Sequence, residues 1–321
     1  MLSTVLVFFL MNSTQLSDDL SEIVKDLDLR DTISKIADGV EKVSLLLRTG
    51  IGLSGAGSIN ASGDNQLHID LAANRSIFDS LEGGSVYAAA SEETPDFVKI
   101  GHGNFLVVFD PIDGSSVVDC NFSVGAIFGI FEKHDDSFIG IKGSDQVAAL
   151  MAVFGPRTVL LIGVQNILFE IILTESGWTV SRKPGSMSIA TEASIFAPGN
   201  LKASNDIKGY KALIDTWMTE RKTLRYTGAL VPDIYQIFAK SQGIFSCPFS
   251  EKSPAKLRLI FECAPIAFLI ELAGGSAFAI VNGKAIRVLD IIFEDMDQRC
   301  SFFAGSTDAV NDALENCGVT L

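Results

Sequence analysis

Residues 105–131, FLVVFDPIDGSSVVDCNFSVGAIFGIF, constrain the fold more than any other stretch of the chain. Two charge-free runs, 105–109 and 124–131, have the continuous apolar character of strands buried on both faces. Asp110 and Asp113 stand between them. A carboxylate at the end of a buried strand is costly unless it is paired or bound to a cation. Pro111 restricts the backbone so that the two aspartates can converge, with the Ile112 carbonyl between them. Gly114, Ser115 and Ser116 follow, small residues whose amides and hydroxyls suit a phosphate. Oxygen donors without His or Cys point to a hard cation, Mg2+ or Mn2+. A strand closing on an Asx turn accounts for the same residues equally well.

Further acids sit where a globule should be apolar. Glu92 and Glu93 follow the apolar strand 86–90, Asp64 and Asp70 flank the start of a helix, and Glu262 stands among Leu259, Ile260, Phe261 and Cys263. Each has a plain explanation when taken singly: a helix cap for Asp64, a solvated face for Asp70 and Glu93, a satisfied buried acid for Glu262. Together they fit a metal cluster better than chance placement.

The remaining pattern predicts a mixture of helices and buried strands in two halves. A chain of 321 residues suits one large domain or two packed halves. Helices are expected over 17–48, with a second run from Thr32, and again from Gln66, with Asp64 as its cap. Strands are expected at 86–90, 105–109, 124–131, 158–164 and 168–173. The polar run 181–188, SRKPGSMS, marks a boundary. Helices at 206–220 and 231–240 then alternate with strands near 224–226 and 243–247. A long helix over 256–273 should kink where Pro265 frees the Phe261 carbonyl. The division expected is an extension over 1–16, an α+β half over 17–185 and an α/β half over 186–321.

Composition excludes several function classes. Thirty-nine acids against 25 bases leave a net charge of −14, which repels nucleic acid and anionic membranes. A phosphorylated metabolite remains compatible if a divalent cation lies between the two anions. Five widely spaced cysteines without a CxxC argue against a disulfide framework or a zinc site and favour a reducing compartment. The apolar run at 5–11 is shorter than the ~20 residues a bilayer span takes, and no Lys or Arg precedes it. The stretch 147–164 is broken by Pro156 and Arg157, so no membrane helix is expected. The glycine-rich 50–63 lacks the GxxxxGK[ST] order of a P-loop. His68, His102 and His134 have no ligand spacing, and Trp178 and Trp217 are expected to serve packing.

FDPIDGSS, preceded by GDNQLHID and SEE and followed by LRLIFECAP, resembles the metal-dependent sugar bisphosphatases, the fructose-1,6- and sedoheptulose-1,7-bisphosphatases. The motifs occur in order from about residue 30 to 310. SDQVAALMAVFGPRT, FAPGNL and TLRYTGALVPDIYQI look like the sedoheptulose branch. The resemblance implies an αβαβα sugar-phosphatase fold, with mixed sheets sandwiched between helices. It implies Mg2+-dependent hydrolysis of the 1-phosphate of sedoheptulose 1,7-bisphosphate in carbohydrate metabolism, with fructose 1,6-bisphosphate or dual specificity as the alternative. A catalytically inactive sugar-phosphate-binding scaffold is a distant alternative. Glu92, Asp110, the Ile112 carbonyl, Asp113, Glu262 and Asp64 would ligate metal. Asp70 and Glu93, with Asp64, would serve the attacking water. Asp113, Gly114, Ser115 and Ser116 would hold the departing phosphoryl group. Asn200, Arg225, Tyr226, Lys256 and Arg258 would hold the sugar and the distal phosphate. Arg225 would reach across a subunit interface, so a homo-oligomer is expected, a dimer first, with neither nucleic acid nor membrane as partner. The cytoplasm is the expected compartment, with a plastid left open.

Two departures from the family pattern bear on specificity. Ala203 and Cys247 stand where fructose enzymes carry tyrosines on the distal phosphate, which makes room for a longer sugar. Two others bear on regulation. Asn104-Phe105 replaces the Lys-Tyr of AMP-inhibited enzymes, and the loop over 53–62 has no cysteine for thioredoxin control.

Overall fold

The computed structural model describes residues 20–50, 55–59, 65–133 and 137–319. The run at 5–11, the extension over 1–16, Asp64, His134 and most of 51–64 lie outside the described residues. In chain order the first half contains α1 (Leu27–Thr49), β1 (Gly55–Ile59), β2 (Asn65–Leu67), α2 (His68–Leu81), β3 (Val86–Ser91), β4 (Thr94–Lys99), β5 (Phe105–Asp113), β6 (Val124–Glu132), β7 (Gln146–Phe154), β8 (Thr158–Val164), β9 (Ile167–Thr174) and β10 (Gly177–Arg182). The second half contains β11 (Ile195–Pro198), α3 (Lys208–Thr219), β12 (Thr223–Leu224), α4 (Leu230–Lys240), β13 (Ile244–Cys247), α5 (Ala264–Leu272), β14 (Ser276–Val281), β15 (Lys284–Arg287), β16 (Phe302–Gly305) and α6 (Thr307–Asn316).

Two large sheets form, ordered β10-β9-β8-β7-β6-β5-β3-β4 and β12-β11-β13-β16-β14-β15. Alternation along each strand assigns every face a partner. On β5, Phe105, Val107 and Phe109 join the core under α1 and α2, with Ile33, Val40 and Ile77. Leu106 and Val108 turn the other way, to Ile234 of α4 and Ile266 of α5. All nine β5 positions are buried, which is why its sequence is continuously apolar before Asp110. On the second sheet, Ala197, Phe245 and Ala304 face that same central layer. Phe196, Ile244 and Phe303 face outward to Tyr210, Trp217 and Val310 of α3 and α6. The layers run α, β, α, β, α, as the resemblance implied. Trp178 and Trp217 are core residues, 3% and 1% exposed. Among the described residues no helix is long and apolar enough to cross a membrane.

Several element boundaries differ from the sequence expectation. The helix expected over 17–48 is interrupted at 24–26, because the Asp26 carboxylate accepts the Leu29 N–H and starts α1 afresh. Gly50, at φ 63°, closes α1. The helix expected from Gln66 begins at His68, since Gln66 belongs to β2, which pairs with β1. The apolar stretch 147–164 is the β7–β8 hairpin. The strand expected at 224–226 ends at Leu224. The long helix expected over 256–273 starts only at Leu259, and with a π turn, Leu259–Cys263. Both Glu262 N and Cys263 N donate to the Arg258 carbonyl, at 3.2 and 3.0 Å. Pro265 then falls in the first turn of α5, directly after the π turn. The expected kink is this wider turn.

Gly125 decides how closely α4 approaches the first sheet. A Cβ there would overlap the Val231 side chain. Gly125→Ala is expected to cost about 1–3 kcal/mol through overpacking. Denaturant unfolding reads this as a lowered midpoint at unchanged slope, and an unchanged midpoint would refute the close approach.

Candidate active site

In an unbroken strand, residues 110 and 113 face opposite sides of the sheet. A register irregularity between Asp110 and Asp113, opposite Ile127 and Gly125, removes that alternation. Asp110, Asp113 and Glu262 each present a carboxylate oxygen within 4.8 Å of the others, all three side chains buried. The Ile112 N–H donates to Asp110 Oδ1 at 3.0 Å. The Asx turn therefore exists and coexists with the convergence of the two acids.

Each acid is delivered by a different element. β3 runs parallel to β5 with Ser91 opposite Phe109, and the Glu92 N–H continues the ladder to the Phe109 carbonyl at 3.1 Å. Glu92 thus lies beside Asp110 at the sheet edge where both strands end. The π turn supplies Glu262, whose Oε2 accepts the Arg258 N–H at 2.6 Å. Asp113 meets the start of α4: Leu230 N donates to its Oδ1 at 3.0 Å and Val231 N to its Oδ2 at 2.6 Å. These are helix N-terminal amides with no intrahelical acceptor, and the helix dipole favours an anion there. Gly114, at φ 88°, makes this docking possible, since a Cβ there would overlap Ala229.

Burial and mutual repulsion set the electrostatics. The Asp110 carboxyl is held well above the ordinary carboxylate range, by burial first, then by the charges of Glu92, Asp113 and Glu262. Glu262 is raised in the same way, by burial and then by Glu92. Asp113 is pushed up to about 6 by burial, against the opposing pull of the Val231 and Leu230 amides. Arg258 is the cation inside this group. Its Nη1 lies 2.8 Å from Glu92 Oε1 and 4.0 Å from Glu262 Oε2, and its Nε lies 3.3 Å from Asp297 Oδ1. An all-oxygen, buried, like-charged donor set is the kind a hard divalent cation takes.

A cavity of about 550 Å³ opens from Asp113 and Ser116. Asn200, Tyr226, Lys256 and Cys247 also line it, together with Lys202, Lys252 and Asp233. Arg225 is exposed and outside that lining, with its carbonyl accepting from Gln236 Nε2 at 3.0 Å. Gly114, Ser115 and Arg258 are also outside the lining. Ala203 is fully buried and outside the lining. Asp70, in the first turn of α2, is 2% exposed, so its plain explanation as a solvated residue does not hold. Glu93 is half-buried, its N–H donating to Ser91 Oγ at 3.1 Å. Sequence reasoning missed Asp233, fully buried in the first turn of α4. It accepts the Thr227 and Gly228 amides at 2.7 and 3.3 Å, and burial pushes its carboxyl up to about 6. Its signal was the same as that of Glu262, an acid on the apolar face of a helix. Lys202 and Lys252 were missed as well, since an exposed lysine carries no local pattern.

Raised carboxyls make a pH prediction. A carboxyl that holds its proton more tightly when folded adds stability at low pH, and that stability is lost as pH rises through about 6. Cation-free protein should therefore melt lower at about pH 8 than at about pH 6, and added Mg2+ should raise Tm far more at the higher pH. Scanning calorimetry at both pH values checks this, and an Mg2+ effect independent of pH would contradict it.

Residues 3–179 match the family described as fructose-1-6-bisphosphatase, N-terminal domain, and residues 189–317 match its C-terminal domain. The chloroplastic sedoheptulose-1,7-bisphosphatase of Chlamydomonas reinhardtii is 39% identical over 92% of this chain and 75% of its own length. The class 1 fructose-1,6-bisphosphatase of Pelobacter propionicus is 35% identical over 94% of this chain and 93% of its own. A crystal structure from Toxoplasma gondii, provisionally assigned as a sedoheptulose-1,7 bisphosphatase, superposes with TM-score 0.85 at 35% identity, covering 94% of this chain and 98% of that one. The chain belongs to the fructose-1,6-bisphosphatase family of sugar bisphosphatases.

Proposed function

We propose that this phosphoric monoester hydrolase removes the 1-phosphate of sedoheptulose 1,7-bisphosphate, with Mg2+ as its cofactor. The observation that carries the proposal is a cavity whose lining combines Asp113, a member of the buried carboxylate cluster, and Ser116 with Asn200, Tyr226 and the cationic Lys202, Lys252 and Lys256. A substrate with an anion at each end of a sugar matches that polarity. Cys247, a small residue in the wall, leaves length for seven carbons.

Asp110, Asp113, Glu92 and Glu262 hold the cation in this proposal, with the Ile112 carbonyl and Asp64 contributing. When bound, a divalent cation supplies charge neutralisation at the phosphoryl oxygens and a more acidic water. The amides and hydroxyls of Gly114, Ser115 and Ser116 orient the phosphoryl group. Asp70 and Glu93 accept the proton of the attacking water. Its oxygen forms the new bond to phosphorus as the bond to the sugar oxygen breaks, and the leaving alkoxide takes a proton from solvent water. The lysines, Asn200 and Tyr226 fix the distal phosphate and so the register of the sugar. Arg258, placed against Glu92 and Glu262, sets the charge of the cation site.

The enzyme acts as a homodimer in this account. Arg225, exposed beside the exposed Leu224 and outside its own cavity, suits reaching a partner's distal phosphate. The cytoplasm is the proposed compartment. The chloroplastic relatives supply a plastid as the alternative. Fructose 1,6-bisphosphate is the second substrate reading, favoured by class 1 fructose-1,6-bisphosphatase relatives of matching length.

Phosphate release with each sugar tests the proposal. kcat/KM should be about 10-fold or more higher for sedoheptulose 1,7-bisphosphate, the scale on which a pocket discriminates by size. Equal or reversed values would give the site to the shorter sugar. Asp113→Ala should fold yet lose activity at least about 100-fold, since even groups that only support a metal ligand cost up to that much. Near-normal turnover would exclude Asp113 from the cation site.

A further inference from the structure

Three hydrogen-bonded ties join helix α4 to the first sheet, of which the acidic site uses only the first. Its N-terminal amides meet Asp113. Midway, Tyr235 Oη donates to Glu170 Oε2 at 2.6 Å. Near its C-terminal end, the Phe238 carbonyl accepts from Arg182 Nη1 at 3.3 Å. Glu170 lies in the middle of β9, in ILFEIILT, and is 2% exposed. A carboxylate inside a buried strand is as anomalous as Asp110 and needs partners. Besides Tyr235, it accepts Ser181 Oγ at 2.6 Å on Oε1 and lies 3.7 Å from Arg182 Nε. All these partners come from β10 and α4, so the acid ties the helix to the far edge of the first sheet.

The spacing connects this tie to the catalytic end. Tyr235 follows Val231 by four residues, on the same helix face and ~6 Å along the axis. Val231 itself packs onto Gly125, the register partner of Asp113. A helix is a stiff rod over this distance, and the contact at Gly125 leaves no slack. Rotation or sliding at Tyr235 therefore displaces the amides that hold Asp113. Burial, and then Glu170, push the Tyr235 hydroxyl up, so it remains a donor throughout the neutral range.

We propose that Tyr235 and Glu170 form a clamp that positions Asp113 through α4, making Tyr235 a positioning residue for the cation-binding carboxylates. The clamp touches neither substrate nor cation. The inference rests on the proposed cation site, and its test separates the two.

Equilibrium Mn2+ binding by calorimetry, with hydrogen exchange of the 229–235 amides, is measured on wild type, Tyr235→Phe, Glu170→Gln and Ile234→Val. Tyr235→Phe should weaken Mn2+ binding about 3- to 10-fold, at the low end of the loss seen for groups that support a metal ligand. It should also speed exchange at Leu230 and Val231, and leave KM for the sugar bisphosphate within about 2-fold and kcat restored at saturating cation. Glu170→Gln keeps an oxygen to accept from Tyr235 and should stay within about 2-fold of wild type. Ile234→Val trims the same helix at a fully buried position without touching the clamp, and should leave the Mn2+ Kd unchanged. Unaltered binding in Tyr235→Phe, or an equal loss in Ile234→Val, overturns the clamp while leaving the cation site intact. Wild type that binds no Mn2+ overturns the cation site and the clamp with it.

Discussion

Burying several carboxylates together is the constraint on which the rest of this structure depends. Asp110, Asp113 and Glu262 approach within 4.8 Å in the central layer between two sheets, with Glu92 beside them. At that range like charges repel strongly in a medium of low polarity. Three responses are available to a protein: protonate the acids, pair them with cationic side chains, or bind a metal ion. The raised carboxyls of Asp110, Asp113 and Glu262 show the first, and Arg258 supplies part of the second. The third suits this all-oxygen donor set, which is the kind a hard divalent cation takes.

The scaffold keeps these acids in place at a structural cost. A register irregularity turns Asp113 inward, a π turn projects Glu262, and two glycines let α4 press its N-terminus onto Asp113. Each device departs from ideal geometry, and such departures concentrate at functional sites. Asp233 secures the 227–229 turn that leads into α4, and Glu170 and Tyr235 secure its middle. The helix thus serves as a strut between a distant polar anchor and the reactive end. The cavity wall also carries Lys202, Lys252 and Lys256, so a chain with a net charge of −14 still presents cationic side chains there.

Much of this was readable from local contrast. Asp110, Asp113 and Glu262 are acids embedded in apolar runs, and strands buried on both faces announce themselves by lacking charge. The layered fold followed from the resemblance. What could not be read depended on contacts remote in sequence. Arg258 was expected at the sugar and distal phosphate, but the π turn and its bridge to Arg299 turn it toward Glu92. β4 at one sheet edge and β15 at the other are short and incompletely buried, so neither shows a clear apolar pattern. The break before α1 arose from a capping bond to Asp26 that overrode a continuous apolar period.

Anomalous diffraction from Mn2+-soaked crystals addresses the central claim most directly. A peak bounded by Asp110, Asp113 and Glu262, at roughly the 2.0–2.2 Å oxygen distances of a small divalent ion, is the predicted result. Density elsewhere, or three carboxylates that stay protonated and hydrogen-bonded to one another with manganese present, would contradict it.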